Sequence, residues 1–134
     1  MEEWMKEEEQ FLSEGEALIM KVIWKQSEDI TISELVDILN LDYEKDYKRS
    51  TVVTFLNRMV GKGFIRIWHK GRLAYIHALR TKEDYQHQLL EKQRDFWYDG
   101  SSSEMVASLI RSRQISEEDK KEIRRLLDAM ADRN

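Results

Sequence analysis

A chain of 134 residues with 26 Asp and Glu, 22 Lys and Arg and a formal charge of −4 does not have the balance of a nonspecific nucleic-acid coat. Its length fits one domain, or one small domain with a helical extension. It has no Cys, which excludes disulfides, thiolate metal sites and a cysteine nucleophile.

The start, MEEWMKEEEQ, is acidic and lacks the apolar core of a secretory leader. No apolar run approaches the roughly 18 residues of a membrane span. A soluble, cytoplasmic protein is expected. Residues 1–11 read as an acidic N-terminal tail in which Trp4 and Phe11 are the large apolar residues.

A first helix is announced by Ser13-Glu14-Gly15-Glu16, a capping box in which Glu16 can reach back to the cap. The dense apolar run Ala17–Trp24 makes this helix mostly buried. Thr31-Ile32-Ser33-Glu34 repeats the device for a second helix, with Ile30 and Leu35 as a hydrophobic staple and an end near Asn40. Residues 41–47 are charged and aperiodic and read as a loop.

The third helix runs from about Arg49 to Val60. Val52, Phe55, Leu56 and Met59 recur at helical spacing and face inward. Ser50, Val53, Thr54 and Asn57 share the outward face, flanked by Arg49 and Arg58. That face lacks the interspersed Glu and Lys of a solvated helix. Arg forks to guanine, Asn pairs with adenine, and Thr or Val meets a thymine methyl, so these are groups suited to base edges. Gly61-Lys62-Gly63 ends the helix. A hairpin follows: Phe64–Trp68 alternates, His69–Arg72 turns on Gly71, and Leu73–Leu79 returns.

Charge along the chain is segregated. Residues 47–82 hold nine Lys and Arg and no Asp or Glu, whereas residues 1–46 hold fourteen acids against four bases, and 83–134 twelve against nine. The basic window coincides with the third helix and the hairpin, the layout a polyanionic duplex selects. The expected fold is therefore mainly α: a winged helix-turn-helix over residues 12–80, three helices plus a two-stranded wing, then a helical dimerisation segment over 81–134. The residues expected on DNA are Lys48, Arg49, Ser50, Thr51, Val53, Thr54, Asn57 and Arg58, with Arg66, Lys70 and Arg72 from the wing.

Three more helices are expected after Thr81, Ser103 and Ser116. Their apolar stripes are too narrow to be buried within one chain, so a second copy is the economical cover. The residues expected there are Tyr85, Leu89, Phe96, Trp97, Val106, Leu109, Ile110, Ile123, Leu126, Leu127 and Met130. His69, His77 and His87 lack metal-ligand spacing, and no HExxH, P-loop, dinucleotide turn or GxSxG is present. No enzyme activity, metal or cofactor is expected.

The segments LSEGEALIMKVIW, RSTVVTFLNRMVGKGFI, GRLAYIHAL and ISEEDKKEIRRLLDAM resemble the BlaI/MecI/CopY penicillinase-repressor family over roughly residues 10–132. The resemblance implies a homodimer that binds an inverted-repeat operator and blocks transcription, with dimer contacts in the C-terminal helices. It places DNA contacts at Arg49, Ser50, Thr51, Thr54 and Arg58, and wing contacts at Lys70 and Arg72. In the β-lactam branch it also implies an upstream membrane sensor system and proteolysis. The matching stretch here is Ser108–Leu109, in place of that branch's Asn-Phe pair. The copper branch's Cys-x-Cys motifs have no counterpart in a chain without Cys. The alternative carried by the residues themselves is a winged-helix module whose basic window binds an acidic protein partner.

Overall fold

The computed structural model describes residues 11–112 and 114–132. The acidic tail expected over 1–11 lies outside these except for Phe11. The chain divides into two compact units, residues 1–89 and 90–134.

In the first unit, α1 (Glu14–Lys25) starts at the Ser13 cap: Glu16 Oε1 accepts the Ser13 N–H at 2.7 Å, and Ser13 Oγ accepts the Glu16 N–H. Its buried side is Ile19, Met20, Val22 and Ile23. A short strand β1 (Ile30–Thr31) leads into α2 (Ile32–Asp42), whose Thr31–Glu34 capping box is also formed. The helix continues two residues past Asn40. Next comes α3 (Arg49–Gly61), which buries Val52, Leu56 and Met59 against α1 and α2. Gly15 lets α1 and α3 approach closely: a Cβ there would lie 2.8 Å from the Phe55 ring.

The hairpin is β2 (Ile65–Lys70) and β3 (Leu73–Ala78), joined by Gly71 and Arg72. Gly71 has φ +61°, as a tight two-residue hairpin turn requires at its first position. Among the described residues the two-stranded wing is joined by β1, giving a three-stranded sheet in the order β1-β3-β2. Ile30 pairs with Ile76 and Thr31 with Tyr75. The third strand exists because the Thr31 cap must be extended to open α2, and an extended pair beside β3 completes its ladder. Leu79 falls just outside β3 and is exposed, although its N–H still reaches Phe64 O at 2.9 Å.

Helix α4 (Lys82–Trp97) begins in the first unit. Tyr85, expected on an association face, is instead a core residue, 6% exposed. Its ring meets Phe11, Trp24 and Phe64, edge-on to the last at 5.2 Å. Its hydroxyl accepts the Leu12 N–H at 2.8 Å. The first turns of α4 thus close the winged body, which removes Tyr85 from the association set.

The second unit contains the rest of α4, then α5 (Ser102–Arg111) and α6 (Glu117–Ala131). Asp99 and Gly100, both at positive φ, reverse the chain after α4. Ser101, rather than Ser103, caps α5 by accepting the Glu104 N–H, and Ser116 caps α6. No described residue of α5 or α6 is buried.

Candidate nucleic-acid interface

The outward face of α3 is built from its first turn upward. Lys48 is the N-cap and makes no side-chain cap bond, and the first turn carries no acid. No carboxylate of the helix's own first turn opposes the positive end of its dipole, a disposition that favours an anion. Lys48, Arg49, Ser50, Thr51, Thr54, Asn57 and Arg58 are all exposed. Val53 is the exception among the expected contacts: it is half-buried and packs on the core, so only its edge faces out.

Two hydrogen bonds define what this face offers. Arg49 Nη1 donates to Ser33 Oγ at 2.9 Å, joining the first turn of α3 to the first turn of α2. Thr54 Oγ1 donates to Ser50 O at 3.0 Å, which commits its proton and leaves its methyl and oxygen lone pairs outward. Thr54 is therefore an acceptor or a methyl contact, not a donor.

Asn40, near the end of α2, holds the last residue of the loop before α3, a role its sequence position did not reveal. Its Nδ2 donates to Tyr47 O at 3.0 Å, and its Oδ1 accepts the Tyr47 N–H at 2.8 Å. The loop thus ends on a fixed backbone, with Tyr47 tilted against Phe55 at 6.0 Å.

Strand register sorts the wing residues. Arg66, Trp68 and Lys70 lie on one face of β2, opposite His77, Tyr75 and Leu73. Ile65 and Ile67 turn to the core with Ile76 and Ala78. Arg66, Lys70 and Arg72 are exposed, with Arg72 in the turn. Asp29, in the loop before β1, accepts from Trp68 Nε1 at 2.8 Å and from His77 Nδ1 at 3.0 Å. The His77 hydrogen bond is the main reason its carboxyl lies below the ordinary range; slight burial opposes this, while Trp68, the His77 charge and Arg66 reinforce it. His69 and His87 are exposed on β2 and α4.

The basic window is not uniformly free. Lys62 Nζ is bound to Glu16 Oε1 at 2.6 Å and to Phe11 O at 3.1 Å. The Arg80 guanidinium lies over the Phe64 ring at 4.2 Å. These two cations serve the core; the outward ones are those of α3 and the wing, with Lys82 at the start of the next helix. Among the described residues, no cluster of three His, Asp or Glu could hold a metal ion, and no helix is long and apolar enough to cross a membrane.

A three-helix body with a capped second helix, an acid-free third helix and a cationic hairpin defines a winged helix-turn-helix protein. The family model described as penicillinase repressor matches residues 12–129, so the chain belongs to the penicillinase repressor family, whose members are transcriptional repressors and not enzymes. It is 27% identical over 121 residues to the penicillinase repressor of Bacillus licheniformis, covering 87% of this chain and 89% of that protein. It also resembles the solution structure of the DNA-binding domain of the repressor BlaI, at 29% identity and TM-score 0.49, covering 57% of this chain and 89% of that one.

Proposed function

We propose that the protein is a cytoplasmic repressor that binds an inverted-repeat operator as a homodimer, with α3 in the major groove and the wing on the backbone or minor groove. The observation that carries the reading is the exposed, acid-free face of α3, where Ser50, Thr54 and Asn57 stand between Arg49 and Arg58. Asn57 and the two arginines can pair bidentately with base edges, while Lys48, Arg66, Lys70 and Arg72 supply phosphate contacts and a salt-dependent affinity.

Dimerisation is supported by the second unit. Leu90, Phe96, Trp97, Val106, Leu109, Ile110, Leu126, Leu127 and Met130 are all exposed there, with Phe96 at 70% and Trp97 at 69%. Leu89, at the unit boundary, is at the margin of exposure, and Ile123 is half-buried. Single exposed apolar residues are ordinary, but this many on three short helices need a cover, and a second copy supplies one with two-fold symmetry. Two α3 helices held by such a dimer would meet successive major grooves on one side of the duplex. Release of the operator then follows from any event that parts the dimer, including cleavage by a sensor-linked protease, because one half-site forfeits much of the affinity. Ser108–Leu109 lies within α5 and is exposed.

Selection from a random duplex library with the full chain tests the reading. Enrichment of an inverted repeat with half-sites about one helical turn apart is the expected result. Failure to enrich any sequence at low salt would favour the basic window as a surface for an acidic protein.

A further inference from the structure

The wing extends past the strand that supports it. β1 pairs with β3 only at Ile76 and Tyr75. Beyond the rung Trp68–Tyr75, the rungs His69–Ala74 and Lys70–Leu73 and the turn at Gly71 and Arg72 have no third strand beside them among the described residues. A two-stranded ribbon is marginal in water, yet this one carries the exposed cations Lys70 and Arg72.

The last supported rung is held from outside the sheet by Asp29. One oxygen accepts the Trp68 Nε1–H at 2.8 Å, and the other takes His77 Nδ1 at 3.0 Å. Trp68 is on β2 and His77 on β3, diagonal neighbours on one face, so a single carboxylate bridges both strands. An ionised carboxylate only accepts, so His77 Nδ1 carries a proton whether the ring is neutral or charged. The Trp68 ring is further fixed by stacking on Tyr75, with centroids 4.5 Å apart and planes 15° from parallel. Asp29 itself belongs to the segment that enters β1 and the α2 cap, so the bridge ties the hairpin to the entry of the helix-turn-helix.

We propose that Asp29 is a positioning residue: through Trp68 and His77 it fixes the direction of the unsupported end of the wing relative to the three-helix body. Its consequence for DNA rests on the function proposed above; its mechanics do not. With the rung locked, Lys70 and Arg72 stand at a set distance from α3 and reach phosphates without first being ordered. Without the lock, the same cations remain but their placement is lost.

The test uses the full chain with Asp29→Ala and Trp68→Phe, the second keeping the stacked ring while losing the donor. Amide hydrogen exchange should accelerate about tenfold in the β2–β3 hairpin of Asp29→Ala, and less in the same hairpin of Trp68→Phe, with the α1, α2 and α3 amides unchanged. Unchanged hairpin exchange, or a uniform rise across the first unit, would overturn the proposal. On the duplex selected by the wild-type chain, Lys70→Ala/Arg72→Ala should lower the salt slope by about 2, and by much less when Asp29 is already Ala. An equal loss in both backgrounds would also overturn it. A hairpin that loosens as expected in a chain that binds no duplex would uphold the lock and remove the DNA reading.

Discussion

Lys62 Nζ lies 2.6 Å from Glu16 Oε1, joining the residue after α3 to the first turn of α1. Glu16 is 1% exposed, and its second oxygen has no hydrogen-bond partner among the described groups. The carboxylate is therefore tied on one side to both the Ser13 cap and Lys62. Burial, the largest influence on Glu16, raises its pKa, but Lys62 and the Ser13 bonds together outweigh it, and the carboxyl titrates below its ordinary value.

Removing the cation strands the anion. Lys62→Met should destabilise the fold by about 3 kcal/mol, read as a lower urea midpoint, while leaving the salt slope of DNA binding unchanged, because Lys62 is not among the outward cations. The pH dependence has a definite sign. A folded-state value below the unfolded one gives a contribution that is complete above about pH 4.3 and is lost as pH falls through the folded value. Glu16→Gln keeps the cap acceptor and should flatten that acid limb of the stability profile.

Asn40→Ala leaves both the N–H and the C=O of Tyr47 without their side-chain partner. The expected cost is about 2 kcal/mol in denaturant unfolding. DNA affinity should fall further than stability alone explains, since the loop between α2 and α3 loses its fixed end. Isothermal binding at a temperature where the variant is fully folded separates the two effects.

Base and phosphate contacts make different predictions. Asn57→Ala should relax preference at one base position, at a cost of about 1–3 kcal/mol in discrimination, with little change in salt slope. Lys48→Ala should weaken all duplexes alike and lower the slope by about 1. A selected duplex and its single-base variants, titrated at several salt concentrations, distinguish the two outcomes.

For the second unit, Trp97→Glu combined with Leu127→Glu should convert a dimer to a monomer in sedimentation equilibrium while the circular dichroism of the first unit is retained. Tyr85→Phe is the contrasting variant. It removes only the acceptor for the Leu12 N–H, so it should lower stability by about 1 kcal/mol and leave the oligomeric state untouched.

What the sequence made legible was the local code. Both capping boxes pair residues three apart, the α3 stripe repeats at helical spacing, and Gly71 marks its turn, so each is read without knowing the fold. The ties that set the site's geometry join distant residues of ordinary appearance. Asp29 meets Trp68 and His77 across 39 and 48 positions, and Lys62 meets Glu16 across 46. Nothing in the composition near Asp29 distinguishes it from a solvated loop acid. Tyr85 was misplaced for a related reason: an apolar stripe shows that a helix is covered, but not by which body. Lys62 and Arg80 look like surface cations in a basic window until their partners are seen. The short strand at Ile30 and Thr31 was hidden because two residues carry no periodicity.

Site-specific binding is assigned above to the exposed face of α3. Fluorescence anisotropy with the selected duplex beside a scrambled one, across a salt series, with wild type and Arg49→Ala/Arg58→Ala, tests it most directly. Tighter binding to the selected duplex, a steep salt slope, and loss of the preference in the double variant are expected. Equal affinity of wild type and the double variant for the selected duplex would contradict it.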